Sequence, residues 1–320
     1  MNRLQLETIR EAYEKIKGFI RKTPLIHSAS LSELCNNNVY LKLENLQLTN
    51  AFKIRGALNR MLKLSSEEKS RGVVTASSGN HAQGIALAAK HLGVSAKIVV
   101  PKNISEAKLK KIKQYDVTIV QEGDFHEIET KARNLSAQEK RTYISPYNDI
   151  DIIAGQGTIA LEIYKDLEQV DVIVVPIGGG GLISGIALTS KLLNSNIKVI
   201  GVQTKGASTM FESWKAGKII KVEEFKTVAE GLLGGLESGA ITFEIIQNYV
   251  DEIMLVDEES VEKAINLLWK TEGQIVEGAG ATVVALLIEK KHKFANKNVV
   301  AVISGGNINE SLFKEILSKS

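Results

Sequence analysis

The sequence predicts an α/β protein made of two open parallel-sheet units with a cleft between them, and three observations carry that prediction. Short apolar runs rich in β-branched residues alternate with helical stretches along most of the chain. Two segments rich in glycine or small polar residues, Thr75 to Gly84 and Pro176 to Gly185, each fall between an expected strand and an expected helix. A polar, turn-prone stretch, Tyr143 to Asp149, interrupts the alternation near the middle of the chain.

In chain order, the segment Met1 to Gly18 is expected to form a charged amphipathic helix, with apolar Leu4, Ile9, Ala12, Tyr13 and Ile16. Val39–Leu43 reads as the first strand. A helix then runs from Lys53 through Ala57, Leu58 and Leu62. Strands are expected at Gly72–Ala76, Lys97–Val100 and Thr118–Gln121, separated by helices over Ala82–Leu92, Glu106–Tyr115 and Asp124–Glu139. Past the central turn, a helix over Gly155–Asp166 leads to the strong strand Val172–Pro176, and Leu182–Leu193 is again helical. Strands at Lys198–Val202, Glu252–Val256 and Val299–Ile303 follow. The region Asp257–Thr271 reads as a helix with acidic residues in its first turn. With a second crossing near Gln47 to Asn50, residues 48–146 form a smaller unit inserted into a larger one built from residues 1–47 and 147–320. The cleft between them is the default ligand site.

Composition narrows the function. At 320 residues the chain is too long for one small core. Its 40 basic and 37 acidic residues leave a formal charge of +3, spread without the basic stripe of a nucleic-acid binder. The densest lysine cluster, Lys108, Lys110, Lys111 and Lys113, is expected to be the solvated face of one helix. A single cysteine, Cys35, excludes an internal disulfide and a cysteine-based metal cluster. His27, His91, His126 and His292 lack metal-site spacing and read as surface or packing residues. No apolar run approaches the roughly 20 residues of a membrane span. The N-terminal segment lacks the continuous apolar core of a signal peptide. The expected location is cytoplasmic.

Four segments carry chemistry. In Leu48-Thr49-Asn50-Ala51-Phe52-Lys53-Ile54-Arg55-Gly56-Ala57, Lys53 stands beside an aromatic ring at the start of a helix. Both surroundings disfavour the ammonium form, and a neutral lysine amine condenses with aldehydes to a Schiff base. An ordinary helix-start lysine in solvent is the competing reading. In Thr75-Ala76-Ser77-Ser78-Gly79-Asn80-His81-Ala82-Gln83-Gly84, a strand opens into a helix whose first N–H groups suit a carboxylate or phosphate. A simple N-cap competes there. Between strand and helix, Gly178-Gly179-Gly180-Gly181 lets the backbone fold closely round an anion, without the spacing of a Walker loop or a dinucleotide fingerprint. In Val302-Ile303-Ser304-Gly305-Gly306-Asn307, glycines place one hydroxyl, Ser304, at the end of the last strand. A strand-ending turn explains that segment nearly as well.

In this order the four segments resemble the fold-type II pyridoxal-phosphate enzymes of the tryptophan synthase β-like fold, and most closely the threonine/serine dehydratase and serine racemase branch. The resemblance extends from Thr23-Pro24-Leu25 and Leu41-Lys42-Leu43-Glu44-Asn45 to Ser304-Gly305-Gly306-Asn307. It implies pyridoxal 5'-phosphate as cofactor, bound to Lys53 through a Schiff base with Phe52 flanking its ring. It further implies that Gly178, Gly179, Gly180, Gly181 and Leu182 cradle the phosphate, that Asn80 meets the ring hydroxyl and that Ser304 meets the pyridine nitrogen. Glu277, in Val276-Glu277-Gly278-Ala279-Gly280-Ala281, matches a motif near the ring, and Gly231 lines its other side. The resemblance also implies that Ser77, Ser78, Gly79, Asn80 and His81 hold the substrate carboxylate. The implied reaction is α-proton abstraction and β-elimination from L-threonine to 2-oxobutyrate and ammonia, and from L-serine to pyruvate, by a homodimer or homotetramer.

Three departures from the family pattern bear on this. Asn50-Ala51 stands where Gly-Ser is more usual before Phe-Lys, which is expected to alter substrate contacts. Ser78 is a hydroxyl where many dehydratases have alanine and where racemases have their acid/base on the opposite face. That makes Ser78 a second catalytic candidate and serine racemase the alternative activity. Gln203 and Thr209 replace the acidic metal ligands of the racemases, so no metal site is expected. The chain ends shortly after the Ser304 segment, which fits a catabolic-type enzyme without a regulatory domain. A β-replacement synthase and a cofactor-binding protein without catalysis are the remaining, weaker readings.

Overall fold

Ten strands make two sheets in a computed structural model that describes residues 4–290 and 293–319. They are β1 Leu25–His27, β2 Asn38–Leu43, β3 Val73–Ala76, β4 Ala96–Val100, β5 Thr118–Gln121, β6 Thr142–Tyr143, β7 Val172–Pro176, β8 Lys198–Thr204, β9 Glu252–Val256 and β10 Asn298–Ile303. The larger sheet has the order β1-β2-β10-β7-β8-β9, parallel except for β1. The smaller, β5-β4-β3-β6, is parallel throughout. Parallel strands covered by helices on both faces have no polar side, which is why β3 and β7 are buried at every position.

The predicted strands are all present, with ends shifted by at most two residues. β1 and β6 were not expected. With three and two residues they are too short for periodicity to register, and β6 overlaps the stretch read as a turn. Two helix starts differ from those expected. The helix Ile150–Asp166 begins five residues early because Asp149 accepts from the N–H groups of Asp151 and Ile152. Ile128–Glu139 begins four residues late, after a turn with Gly123 at φ 64°. Ala29–Cys35, Ser66–Arg71, Thr209–Ala216, Ile241–Tyr249, Gly278–Glu289 and Glu310–Ser318 are further helices that the sequence reading did not assign. The N-terminal helix covers Leu6–Ile16. Met1 to Arg3 and His292 lie outside the described residues. No helix among the described residues is long and apolar enough to cross a membrane.

The helix Lys53–Leu62 joins the two sheets' surroundings. It crosses Ile150–Asp166 so closely that a Cβ on Gly155 would come within 2.6 Å of the Gly56 Cα. On its other side it meets Asn80–Leu92, where a Cβ on Gly84 would lie 3.1 Å from the Lys53 carbonyl carbon. Arg55, wholly buried, anchors the same turn. It bonds both carboxylate oxygens of Glu44 and of Glu162 at 2.8–2.9 Å, while Lys42 bonds Glu162 at 2.6 Å. Lys53 is thereby placed against the Pro146 carbonyl, past the end of β6, while the N–H of the preceding Phe52 bonds the Ser304 carbonyl at the end of β10.

Candidate active site

A cavity of about 1610 Å³ opens between the sheets, lined by Phe52, Lys53, Ser77 to His81, Gly178 to Leu182, Gly231, Glu277 and Ser304. Every site residue expected from the sequence therefore reaches one space. The Lys53 amine donates to the Pro146 carbonyl at 2.8 Å and sits 5.2 Å from the Phe52 ring centre. Burial pushes its pKa down to about 8, with the Glu277 carboxylate pulling the other way. The solvated-lysine alternative is therefore set aside.

The two helix starts are open. Asn80–Leu92 has no side-chain cap: Ser77 Oγ accepts from the Gly79 N–H instead, and Ser78 is half-buried in the cavity wall. The simple N-cap reading is corrected accordingly. Gly181–Leu193 also begins uncapped, with Gly180 at φ 90°, in the left-handed region that favours glycine. The glycine run is walled in rather than loose. A Cβ on Gly179 would fall 2.5 Å from the Tyr147 ring, and one on Gly178 would fall 3.2 Å from the Gly231 carbonyl.

In the cavity wall, Asn80 Nδ2 donates to Glu277 Oε1 at 2.7 Å and Asn80 Oδ1 accepts from Asn307 Nδ2 at 2.8 Å. The Asn307 N–H donates to Glu277 Oε2 at 3.1 Å. Burial pushes the Glu277 carboxyl up, and these two hydrogen bonds oppose the shift. Ser304 is buried and its carbonyl accepts from the Phe52 N–H at 3.1 Å. His81 is buried with neither ring nitrogen in hydrogen-bond geometry. Burial and neighbouring Lys53 push its pKa down to about 3, against a backbone contact at Ile144, so the ring is neutral near pH 7.

Several sequence expectations need correction. Asn50 is exposed at φ 53°, where asparagine substitutes for glycine, and neither it nor buried Ala51 lines the cavity. Their departure from Gly-Ser therefore changes no cavity wall. The lysine cluster is not all solvated face: Lys108, Lys110 and Lys111 line the cavity, and Lys111 donates to Asn307 Oδ1 at 3.1 Å. His126 also lines the cavity rather than only packing. Gln203 bonds Ile177 and Phe211, and Thr209 bonds Glu224. No group of three or more potential metal ligands occurs among the described residues. Pro146 and Tyr147 were missed as site residues, although Ser145-Pro146-Tyr147 was singled out as a turn. A proline carbonyl carries no sequence signal for the amine it accepts.

The family model described as pyridoxal-phosphate dependent enzyme matches residues 16–305. The chain belongs to that family. It is 43% identical over 317 residues to the L-threonine ammonia-lyase of Thermotoga maritima, covering 99% of this chain and 79% of that protein. It is also 43% identical over 310 residues to the L-threonine dehydratase catabolic TdcB of Staphylococcus aureus, covering 95% and 89%. Among solved structures it is similar to maize serine racemase, with a TM-score of 0.92 and 34% identity over 98% of this chain and 97% of that one.

The residues present fit pyridoxal phosphate. A buried, easily deprotonated amine faces a glycine cradle that has no room for side chains, and two uncapped helix starts offer N–H groups to anions. The Lys53 amine meets the family's aldehyde cofactor only in its neutral form. Uptake of pyridoxal phosphate by cofactor-free protein is therefore expected to accelerate with pH and level off above about 8, followed by stopped-flow absorbance. A rate still climbing near pH 10, the ordinary lysine range, would show that burial does not tune this amine.

Proposed function

We propose that this chain is an L-threonine ammonia-lyase that also accepts L-serine, releasing 2-oxobutyrate or pyruvate together with ammonia. The observation that carries this reading is the Lys53 amine, buried and weakly basic, beside the uncapped Ser77–His81 helix start. The wide match to threonine ammonia-lyases supports it. We also place the unit boundaries at 47/48 and 146/147, so that each sheet forms the core of one unit and Lys53 lies at their junction.

Pyridoxal phosphate, when bound, supplies an aldehyde for amine condensation and an electron-withdrawing ring that stabilises charge at the α-carbon. Gly178 to Gly181 and Leu182 would hold its phosphate, Phe52 and Gly231 would flank its ring, and Asn80 and Ser304 would meet its ring oxygen and nitrogen. Ser77, Ser78, Gly79, Asn80 and His81 bind the substrate carboxylate through the open helix start, which fixes the α-carbon near Lys53. Lys53 Nζ, aimed by the Pro146 carbonyl, takes the α-proton. Glu277 holds the Asn80 amide in place. Ser304 offers a neutral hydroxyl, which does not enforce a charge on the nitrogen it meets and so favours prompt loss of the β-hydroxyl as water. Hydrolysis of the resulting enamine gives the 2-oxo acid and ammonia.

Purified protein supplied with pyridoxal phosphate is expected to form 2-oxobutyrate from L-threonine; no keto acid from either hydroxy amino acid would overturn the reading. A second reading, serine racemase, is favoured by Ser78, whose hydroxyl stands in the cavity wall. Ser78→Ala is expected to remove D-serine formation while keeping elimination within about tenfold of the parent rate. Unchanged racemisation in that variant, assayed by chiral chromatography, would exclude Ser78 as its acid/base.

A further inference from the structure

One wall of the cavity remains without a role. Glu129, on the helix Ile128–Glu139, and Glu237, on the segment between Leu232 and Ile241, both line it. A single arginine gathers them. Arg133 donates from Nε and Nη2 to Glu129 Oε1 at 3.0 and 2.8 Å, and from Nη2 to Glu237 Oε2 at 2.7 Å. Its guanidinium lies 4.3 Å from the centre of the Tyr143 ring, which lines the cavity. Two carboxylates face the space and one cation stands behind them, so the wall carries a net negative charge.

Glu237 is also fixed from the Lys53 side. Lys53 bonds the Pro146 carbonyl; the next residue, Tyr147, accepts the Glu237 N–H at 2.9 Å, and Asn148 Nδ2 donates to Glu237 Oε2 at 3.2 Å. Glu129 and Glu237 share one cavity with Lys53 and Ser77–His81, and Tyr147 ties Glu237 to the residue that holds the Lys53 amine. Lys53, His126 and the lysines Lys108, Lys110 and Lys111 line the same cavity, and Lys108 is paired with Glu230 at 2.7 Å.

We propose that Glu129 and Glu237, gathered by Arg133, are specificity-determining residues that exclude substrates with an acidic side chain. The neutral side chains of threonine and serine meet no repulsion, whereas a β-hydroxy amino acid with a second carboxylate meets two anions whose cation is already engaged. The inference rests on the ammonia-lyase reading. The same elimination on 3-hydroxyaspartate, loss of water and then ammonia by hydrolysis, gives oxaloacetate, so both substrates test one chemistry.

The experiment compares the holoenzyme with its Glu129→Gln/Glu237→Gln variant. The kcat/KM for L-threo-3-hydroxyaspartate relative to L-threonine is expected to rise by about tenfold, because Arg133 is freed to meet a carboxylate. In the parent enzyme the same ratio is expected to rise with ionic strength, since both glutamates are partly solvated. Binding of succinate relative to butyrate, read from the cofactor absorbance, should shift in the same direction without turnover. A parent enzyme inactive on threonine would sink the ammonia-lyase reading while leaving the succinate measurement to decide the wall. Should the double variant fold poorly, Glu129→Gln alone and the salt series serve. Ratios unmoved by substitution and by salt would overturn the proposal.

Discussion

Replacing Lys53 by alanine is expected to lower kcat for L-threonine at least about a thousandfold, because the proposed mechanism gives this one group both the covalent anchorage and the base. The absorbance band that marks covalent attachment of the cofactor should vanish together with the activity. Stability should change little. Its amine donates to the Pro146 carbonyl, and its charge is disfavoured where it stands. Loss of activity with an unchanged melting temperature therefore separates chemistry from folding. Exogenous small amines are expected to restore a fraction of the rate, more strongly as their pKa nears the assay pH. A variant that kept even a tenth of the parent rate would remove Lys53 from the role given to it.

The residues that come together round the cavity were legible because they lie in contiguous motifs. Lys53, the Ser77–His81 loop, the Gly178–Gly181 run and Ser304 each sit where a strand ends or a helix begins, and that punctuation is visible in residue types. Parallel topology was legible for the same reason: β3 and β7 are unbroken apolar runs. What could not be read were partnerships across the chain. Pro146 accepts the amine of a residue 93 positions away, and Lys111 reaches an asparagine 196 positions on. Nothing in Lys108-Leu109-Lys110-Lys111 marks which lysine turns inward. Asn50 shows the reverse error. It was read as a change in the site because it adjoins Phe52-Lys53, yet its left-handed backbone turns its side chain out to solvent. Proximity in sequence overstated proximity to the chemistry. Glu44 and Glu162 were missed as partners for another reason, since charged residues are assigned to the surface by default and only a buried arginine reverses that.

That buried cluster carries the second large prediction. Arg55→Met is expected to destabilise the protein by about 3–5 kcal/mol, because it leaves Glu44 and Glu162 buried with Lys42 as their remaining cation. For a chain of this length that corresponds to a fall in Tm on the order of 10 °C. Its pH dependence distinguishes a charge effect from lost packing. Burial by itself pushes the Glu44 carboxyl up, but Arg55, helped by Lys42 and Thr23, holds it below the ordinary carboxylate range. A carboxyl depressed in the folded state contributes stability that is complete above its unfolded pKa and fades as pH falls through the folded one. Without Arg55 the sign reverses: Glu44 is then favoured in its neutral form, and its cost appears as pH rises. The Tm gap between parent and variant should therefore be wide at pH 8 and narrow as pH falls below about 5, near the unfolded carboxylate pKa. A gap of constant size across that range would assign the loss to the cavity left by the guanidinium. Since Arg55 lies two residues from Lys53 on one helical turn, the surviving folded fraction should also bind pyridoxal phosphate more weakly. A well-packed apolar cluster of the same volume is expected to match these buried charges in stability, so a variant that replaces Arg55, Glu44, Glu162 and Lys42 together by apolar residues, with its Tm kept and cofactor binding weakened, would assign the cluster to positioning Lys53.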